Sequence, residues 1–438
     1  MATFPLHSGP PPPYVRLPVI RNFRWWIAGL LALATALNYL DRQSFPVVVG
    51  EIKREIPFSN QQYGQLTSLF LLAYAIMYAG GGRLMDRLGT RVGYAVMIVW
   101  WSAANCLMGT VSSVLGLGVF RFLLGMGEGG GFPGSAKAVA EWFLPRERAL
   151  AFGIFNTGSA VGAVIAPPLI ALIVSTLGWR WVFYLTGSVG FLWAWLWLNV
   201  YRPPETNQFV SEEERQMIAS AHVAERANYT EEPLLPWTSF FLISEVRGLM
   251  LAKFLSDAAW FFFIFWLPKY LGDIRHLDIH HIGYFAWIPY AFAGGGSMTA
   301  GLLSSFLLRR HFSVNQTRKI VLGVSAMLLP ASLLIFAAPL NFAIVFYSTV
   351  MFGHQCFASI VQTLPADLFP SRDVGSVGGL LGSAGSFGAM LFNLFVGWLI
   401  DHYGYAPAFF IAGFLHPLAF LIILVSVRRI VPLKLAPV

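Results

Sequence analysis

Gly82-Arg83-Leu84-Met85-Asp86-Arg87-Leu88-Gly89-Thr90-Arg91 separates two apolar runs, 61–82 and 92–111, each long enough to cross a bilayer. Its glycines permit a sharp turn, and its aspartate and arginines gather at one helix end. A carboxylate in that position pairs with an arginine or with a helix N-terminus, which makes a clamp that can be broken and remade. The stretch reads as a charged hinge at a membrane surface. The apolar runs on either side set the scale for the rest of the chain.

Of the 438 residues, 56% are hydrophobic and only 11% charged, and mean hydropathy is +0.63. Soluble domains carry about 25% charged residues, so an ordinary globular protein is excluded. The 42 glycines among the apolar runs suit close-packed membrane helices, where small residues let backbones approach. At about 20 apolar residues per crossing, spans fall near 24–50, 61–82, 92–111, 114–140, 148–176 and 180–201. After a break they resume near 247–271, 282–308, 318–337, 340–364, 374–400 and 405–427.

The expected fold is therefore an all-α polytopic membrane protein with twelve transmembrane helices in two six-helix halves. It divides into an N-terminal tail (1–23), an N-terminal bundle (24–201), a connector (202–246), a C-terminal bundle (247–427) and a C-terminal tail (428–438). Within the connector, Ser211-Glu212-Glu213-Glu214 has the capping-box pattern of a short surface helix.

The halves repeat one another. Glu141-Trp142-Phe143-Leu144-Pro145-Arg146-Glu147-Arg148 has its counterpart in Asp367-Leu368-Phe369-Pro370-Ser371-Arg372-Asp373. Gly178-Trp179-Arg180-Trp181-Val182-Phe183 likewise lines up with Gly404-Tyr405-Ala406-Pro407-Ala408-Phe409. Two such units related by an axis along the membrane normal place a site between them at mid-membrane.

The net charge of +8 is scattered through short loops without aromatic interleaving, so no nucleic-acid partner is expected. With the N-terminus inside, one face collects Arg16, Arg21, Arg24, Arg83, Arg87, Arg91, Arg146 and Arg148 from the first half. The second half adds Arg309, Arg310, Arg318, Lys319, Arg372, Arg428, Arg429 and Lys434. The other face has only Lys53, Arg54, Arg180, Lys269 and Arg275. The positive-inside rule then puts both termini in the cytoplasm. The proline-rich start, Gly9-Pro10-Pro11-Pro12-Pro13, lacks the order of a cleavable signal, so the first helix is expected to direct insertion. Cys106 and Cys356 both lie in apolar runs, and no structural disulfide is expected.

Four charges interrupt the spans: Asp41-Arg42 in the first, and Arg121 and Glu128, seven residues apart, in the fourth. A charge at membrane depth costs at least about 3 kcal/mol and usually marks an ion or substrate path. Arg42 keeps its charge and offers a planar fork that matches a carboxylate. Carboxyl groups out of water favour their neutral form, which suits Asp41 and Glu128 to take up and release protons. Arg121 lies two turns before Glu128 on nearly the same face, where it would stabilise the deprotonated form. Protonating a carboxylate would then free an arginine to hold an anion.

The decapeptide has the spacing of the signature between helices two and three of the major facilitator superfamily, which the chain resembles. Leu37-Asn38-Tyr39-Leu40-Asp41-Arg42 and Arg121-Phe122-Leu123-Leu124-Gly125-Met126-Gly127-Glu128-Gly129-Gly130-Gly131-Phe132-Pro133 are similar to the anion:cation symporter branch. Trp260-Phe261-Phe262-Phe263-Ile264-Phe265-Trp266-Leu267-Pro268-Lys269-Tyr270-Leu271 is similar to bacterial hexuronate transporters.

The resemblance implies a twelve-helix alternating-access carrier in the bacterial inner membrane, taking a sugar-acid anion into the cell with protons. Other organic anions (an aldonate, an aldarate or an aromatic acid) and a non-transporting sensor are the rival readings. It further implies that Arg42, Tyr74 and Arg121 contact substrate, that Asp41 and Glu128 couple protons, and that Gly82, Asp86 and Arg87 gate the cytoplasmic side. Sodium coupling stays open, and a monomer is expected.

The second half offers Gln355 and Asn393 as readers of substrate hydroxyls, with His354 also polar at membrane depth. Lys253 and Asp257, four apart, read as a helix-surface salt bridge. Trp260 and Trp266 suit either a sugar face or packing. Gly397-Trp398-Leu399-Ile400-Asp401-His402-Tyr403-Gly404 repeats part of the hinge pattern on the opposite face, with no role evident. His276, His280 and His281 lack a carboxylate or cysteine at metal-ligand spacing. With neither a phosphate-cradling loop nor a nucleophile triad, no cofactor and no enzyme activity are expected.

Overall fold

A chain in hydrocarbon must satisfy every peptide group within itself, so its crossings are helices. The computed structural model describes residues 19–228 and 237–433. The proline run, Arg16 and Lys434 lie outside the described residues.

In the first half the helices are α1 (Arg24–Glu55), α2 (Asn60–Met108), α3 (Val114–Gly129), α4 (Gly131–Trp142), α5 (Pro145–Leu177) and α6 (Trp179–Val200). The connector holds α7 (Glu212–Asn228) and α8 (Trp237–Phe240). The second half follows as α9 (Ser244–Asp273), α10 (Ile279–Arg309), α11 (Val314–Ala326), α12 (Ser332–Ile335), α13 (Leu340–Leu368), α14 (Ser371–Tyr403) and α15 (Tyr405–Ser426).

Nine of the described helical stretches are long and apolar enough to cross a membrane. α2 is one of these, yet its 49 residues would run about 75 Å at 1.5 Å each, more than twice a hydrocarbon core. It breaks at Gly89, whose φ of 74° and ψ of 154° only glycine adopts readily, so the hinge read from the sequence divides spans two and three. Span four is broken at Gly130 into α3 and α4, and span nine is broken at Pro330 between α11 and α12. With charge-bearing α1, the count reaches the twelve crossings of the major facilitator fold. The interruptions fall at Gly-Gly-Gly-Phe-Pro and Leu-Pro, where helix continuation is disfavoured.

The halves meet chiefly through α2 with α14, α5 with α10 and α1 with α9, and α1 also touches α10. The α2–α14 seam is tightest at the end away from the termini. A Cβ on Gly64 would lie 2.5 Å from the Asn393 carbonyl oxygen, and one on Gly397 would lie 2.6 Å from that of Asn60. Further along, Ser68 Oγ donates to Met390 O (2.8 Å), and Gly382 meets the Tyr78 ring. Then the walls part. Gly375, Gly378 and Gly379 share the face of Gly382, and a Cβ on any of them would meet nothing within 4 Å.

Asp401 has a part that the sequence reading denied it. Its carboxylate accepts from Asn60 N (3.1 Å), Asn60 Nδ2 (2.9 Å) and Gln61 N (2.7 Å), capping α2 from the other half. Carboxylates favour helix N-termini, and this one ties the halves together at a water-exposed end. Asp401→Ala should shift the population several-fold toward the conformer parted at this end. Spin-label distances between the adjoining ends of α2 and α14 would lengthen; an unchanged distribution would remove the latch role.

The connector is docked on the first half. Ser211 Oγ accepts from Glu214 N (3.2 Å) as the capping pattern predicts. The Glu214 side chain does not return to its own helix start. It accepts from Phe23 N (2.8 Å), Arg24 N (3.2 Å) and Arg24 Nη1 (2.7 Å), and so caps α1. Arg24 also bonds Glu147 at 2.9 and 3.1 Å, which locks the starts of α1, α5 and α7 together.

Candidate functional site

The four intramembrane charges divide into two separate settings. Arg42 and Glu128 form a buried pair: Nε and Nη2 both lie 2.9 Å from Glu128 Oε2, with side chains 2% and 0% exposed. Nη2 also donates to Asn38 Oδ1 (3.0 Å), one turn back on α1. The guanidinium lies 4.7 Å from the Tyr39 ring centre, 4.9 Å from that of Tyr74, 5.5 Å from that of Phe70 and 6.0 Å from that of Phe261. Tyr74 therefore stands beside the arginine.

Asp41 faces elsewhere. Adjacent residues on a helix point about 100° apart, and the Asp41 carboxylate turns to α2 and α6. There Asn105 Nδ2 donates to Asp41 Oδ1 (2.7 Å) and also to Thr186 Oγ1 (2.8 Å). Of the two carboxylates, Glu128 and not Asp41 holds the Arg42 fork.

Arg121, two turns before Glu128 on α3, makes no hydrogen bond to it. The Arg121 side chain is fully buried, and none of its three guanidinium nitrogens has a hydrogen-bond partner among the described residues. Its guanidinium instead lies 4.5 Å from the Phe70 ring centre, 4.9 Å from that of Phe45 and 5.7 Å from that of Phe265. Cation–π contacts offset about 2 kcal/mol when desolvated, less than the several kcal/mol that burying the charge costs. Distances of 5.5 and 4.5 Å from the one Phe70 ring put the two guanidinium carbons at most 10.0 Å apart. The centre of the protein thus holds one paired and one unpaired arginine across a shared aromatic ring, an arrangement suited to an anion.

The second-half candidates fare differently. Asn393 is fully buried and engaged: Trp266 Nε1 donates to its Oδ1 (2.9 Å), and its Nδ2 donates to Ala389 O (2.8 Å). Trp266 also meets the Tyr63 ring edge-on at 4.8 Å, so both residues serve the contact between halves. Gln355 is half-buried on α13. Trp260 stacks on His354 at 4.3 Å, and His354 Nδ1 lies 2.9 Å from His416 Nε2. Lys253 and Asp257 pair as their spacing predicts, but with side chains only 13% and 9% exposed they are no surface pair. Lys269, read as a loop charge, is buried in α9 and paired with Asp273.

At the hinge, Lys137 of α4 donates to Asp86 Oδ1 (2.7 Å) and to Met85 O (3.0 Å), while Arg87 is exposed and Gly82 half-buried. Asp86 is therefore held within the first half. The histidine cluster is split by α10, where Asp278 Oδ1 accepts from His281 N (2.9 Å) as its N-cap. A separate cavity of about 250 Å³ lies at the end opposite the termini, lined in part by Glu51, Lys53, Arg54, Lys269 and Asp273 and by neither Arg42 nor Arg121. Cys106 and Cys356 are free.

The sequence reading missed Asn38, Asn105, Thr186 and Lys137. An amide or hydroxyl inside an apolar run was the available signal for the first three.

Comparison with known proteins agrees with this fold. The Major Facilitator Superfamily profile matches residues 31–358 and 318–437. The chain is 32% identical to the hexuronate transporter of Escherichia coli (strain K12), over 89% of this chain and 90% of that one. It is also 32% identical to the galacturonate transporter of Dickeya chrysanthemi, over 73% and 93%. The crystal structure of a D-xylose-proton symporter superposes with a TM-score of 0.73 at 16% identity, covering 94% of this chain and 98% of that one. The chain is a membrane transporter, not an enzyme, and belongs to the Major Facilitator Superfamily.

Proposed function

We propose that the protein is a proton-coupled symporter that carries a hexuronate such as galacturonate or glucuronate into the cell. The observation that carries the reading is the Arg42–Glu128 pair beside the unpaired Arg121. While Glu128 is ionised, it occupies the fork of Arg42. A proton that binds Glu128 neutralises it, and Arg42 then turns its two N–H groups to the substrate carboxylate, with Arg121 supplying further positive charge. When the substrate leaves, Glu128 gives up its proton and reclaims Arg42. Asp41, held by Asn105, carries a second proton site between α1, α2 and α6. The relatives named for hexuronate and galacturonate support the substrate class.

Alternating access follows from rocking the halves about this centre, with the Asp401 latch at one end and the Asp86–Lys137 region at the other. Gly82, Asp86 and Arg87 stabilise the outward-facing form. The basic residues around the termini support a cytoplasmic side for that end, in a bacterial inner membrane, and the carrier is proposed to work as a monomer.

Uptake by proteoliposomes tests the reading. Galacturonate or glucuronate should accumulate under an inward proton gradient more than galactonate does, and a protonophore should abolish the accumulation. Uptake indifferent to the proton gradient, or driven only by sodium, would overturn the coupling. Equal accumulation of unrelated acids would overturn the substrate class.

A further inference from the structure

The symport reading leaves one buried ion pair without a task. Lys253 and Asp257 lie on α9 at positions continued by Phe261 and Phe265, four residues apart each time, so all four share one helix face. That face looks at the first half: Phe261 borders the Arg42 guanidinium at 6.0 Å, and Phe265 borders that of Arg121 at 5.7 Å. Lys253 and Asp257 extend the face toward the end where α2 and α14 part. Asp257 packs on Gly385 of α14, one turn from Gly382 and the Tyr78 ring. Tyr74, Tyr78 and Lys253 are each half-buried there.

Lys253 Nζ lies 2.5 Å from both oxygens of Asp257, and the pair has no other hydrogen-bond partner among the described residues. Apolar side chains at these positions would pack without the desolvation penalty of two buried ions. The pair also leaves one ammonium proton and several carboxylate lone pairs unused. Such a set matches neighbouring hydroxyls, which donate to the carboxylate and accept from the ammonium. A single carboxylate, by contrast, already finds its partners in the arginines. Arg42 borders the Phe261 ring at 6.0 Å, and Phe261 follows Asp257 by one helical turn on the same helix, so the pair and the arginine face one region of the site from successive turns.

We infer that the Lys253–Asp257 pair reads the hydroxyl groups at the end of the substrate remote from its carboxylate. This rests on the sugar-acid reading above and assigns the polyol half of the site, in place of Asn393, which is engaged by Trp266. The pair is then what separates a sugar acid from a plain carboxylic acid of the same length.

The test compares hexuronate counterflow in proteoliposomes for the wild type, the neutral double variant Lys253→Gln/Asp257→Asn, and the exchanged variant Lys253→Asp/Asp257→Lys. Both variants should raise KM at least tenfold while kcat changes less than threefold, and competition by hexanoate, which lacks hydroxyls, should stay within twofold of the wild type. A pair that only braces α9 predicts restored KM in the exchanged variant, and that result would overturn the assignment. So would wild-type KM in the neutral variant. If the double variant fails to fold, the isosteric Asp257→Asn decides by the same KM criterion. A wild type that moves no hexuronate would instead refute the symport reading.

Discussion

Arg42→Ala is expected to lower hexuronate uptake at least a hundredfold in protein that remains folded. Two losses combine in this variant. The substrate carboxylate loses the guanidinium proposed to hold it, and Glu128 loses the donor that holds its charge. Breaking one partner from a buried pair leaves an uncompensated charge at a cost of about 3–5 kcal/mol, so Glu128 would remain protonated and the coupling cycle would stop. Arg42→Lys should recover part of the binding but little of the coupling, because an ammonium cannot reach Glu128 and Asn38 with one planar fork. Uptake normalised to monodisperse protein is the measurement, and saturable uptake at the wild-type rate would refute the clamp.

Glu128→Gln is expected to separate exchange from accumulation. Glutamine fills the same volume and can still accept a hydrogen bond from Arg42, but it carries no charge and takes up no proton. Arg42 is then always available to the anion. Counterflow should persist within a few-fold of the wild type, while accumulation under an inward proton gradient should vanish. Accumulation at the wild-type level would show that the coupling proton binds elsewhere, with Asp41 the next group to examine.

Much of the fold was legible because crossing a bilayer imposes length and hydropathy on each segment, and the loops carry the breaks. Gly89 stands in the sequence as plainly as in the structure, whereas span four was read as one run and is broken at Gly130. Pairing was less legible. Asp41 and Arg42 are neighbours in the chain, yet the helix turns them to different partners, 64 and 86 residues away. The 100° step between adjacent residues was enough to separate them, but not to name Asn105 or Glu128. Lys253 and Asp257 were read correctly as a pair and wrongly as a surface one, because four-residue spacing fixes mutual contact and says nothing of which face is buried. Asp401 lies 341 residues from Asn60, beyond any local pattern. The four membrane charges were conspicuous for their expense and pointed to an ion or substrate path, while the substrate class came from the resemblance that their segments carry.

The seam at Gly64 and Gly397 bears on how such a carrier shuts. Where the halves meet most closely, the Gly64 Cβ position lies 3.1 Å from the Gly397 Cα, so main chain rests on main chain. A door of this kind has no side-chain thickness to rearrange, and its jamb stays rigid while the rest of the wall moves. Any methyl group there would act as a doorstop, holding that entrance ajar and leaving the arginines at the centre untouched. The tightness of the seal is thus set by the absence of atoms at two positions.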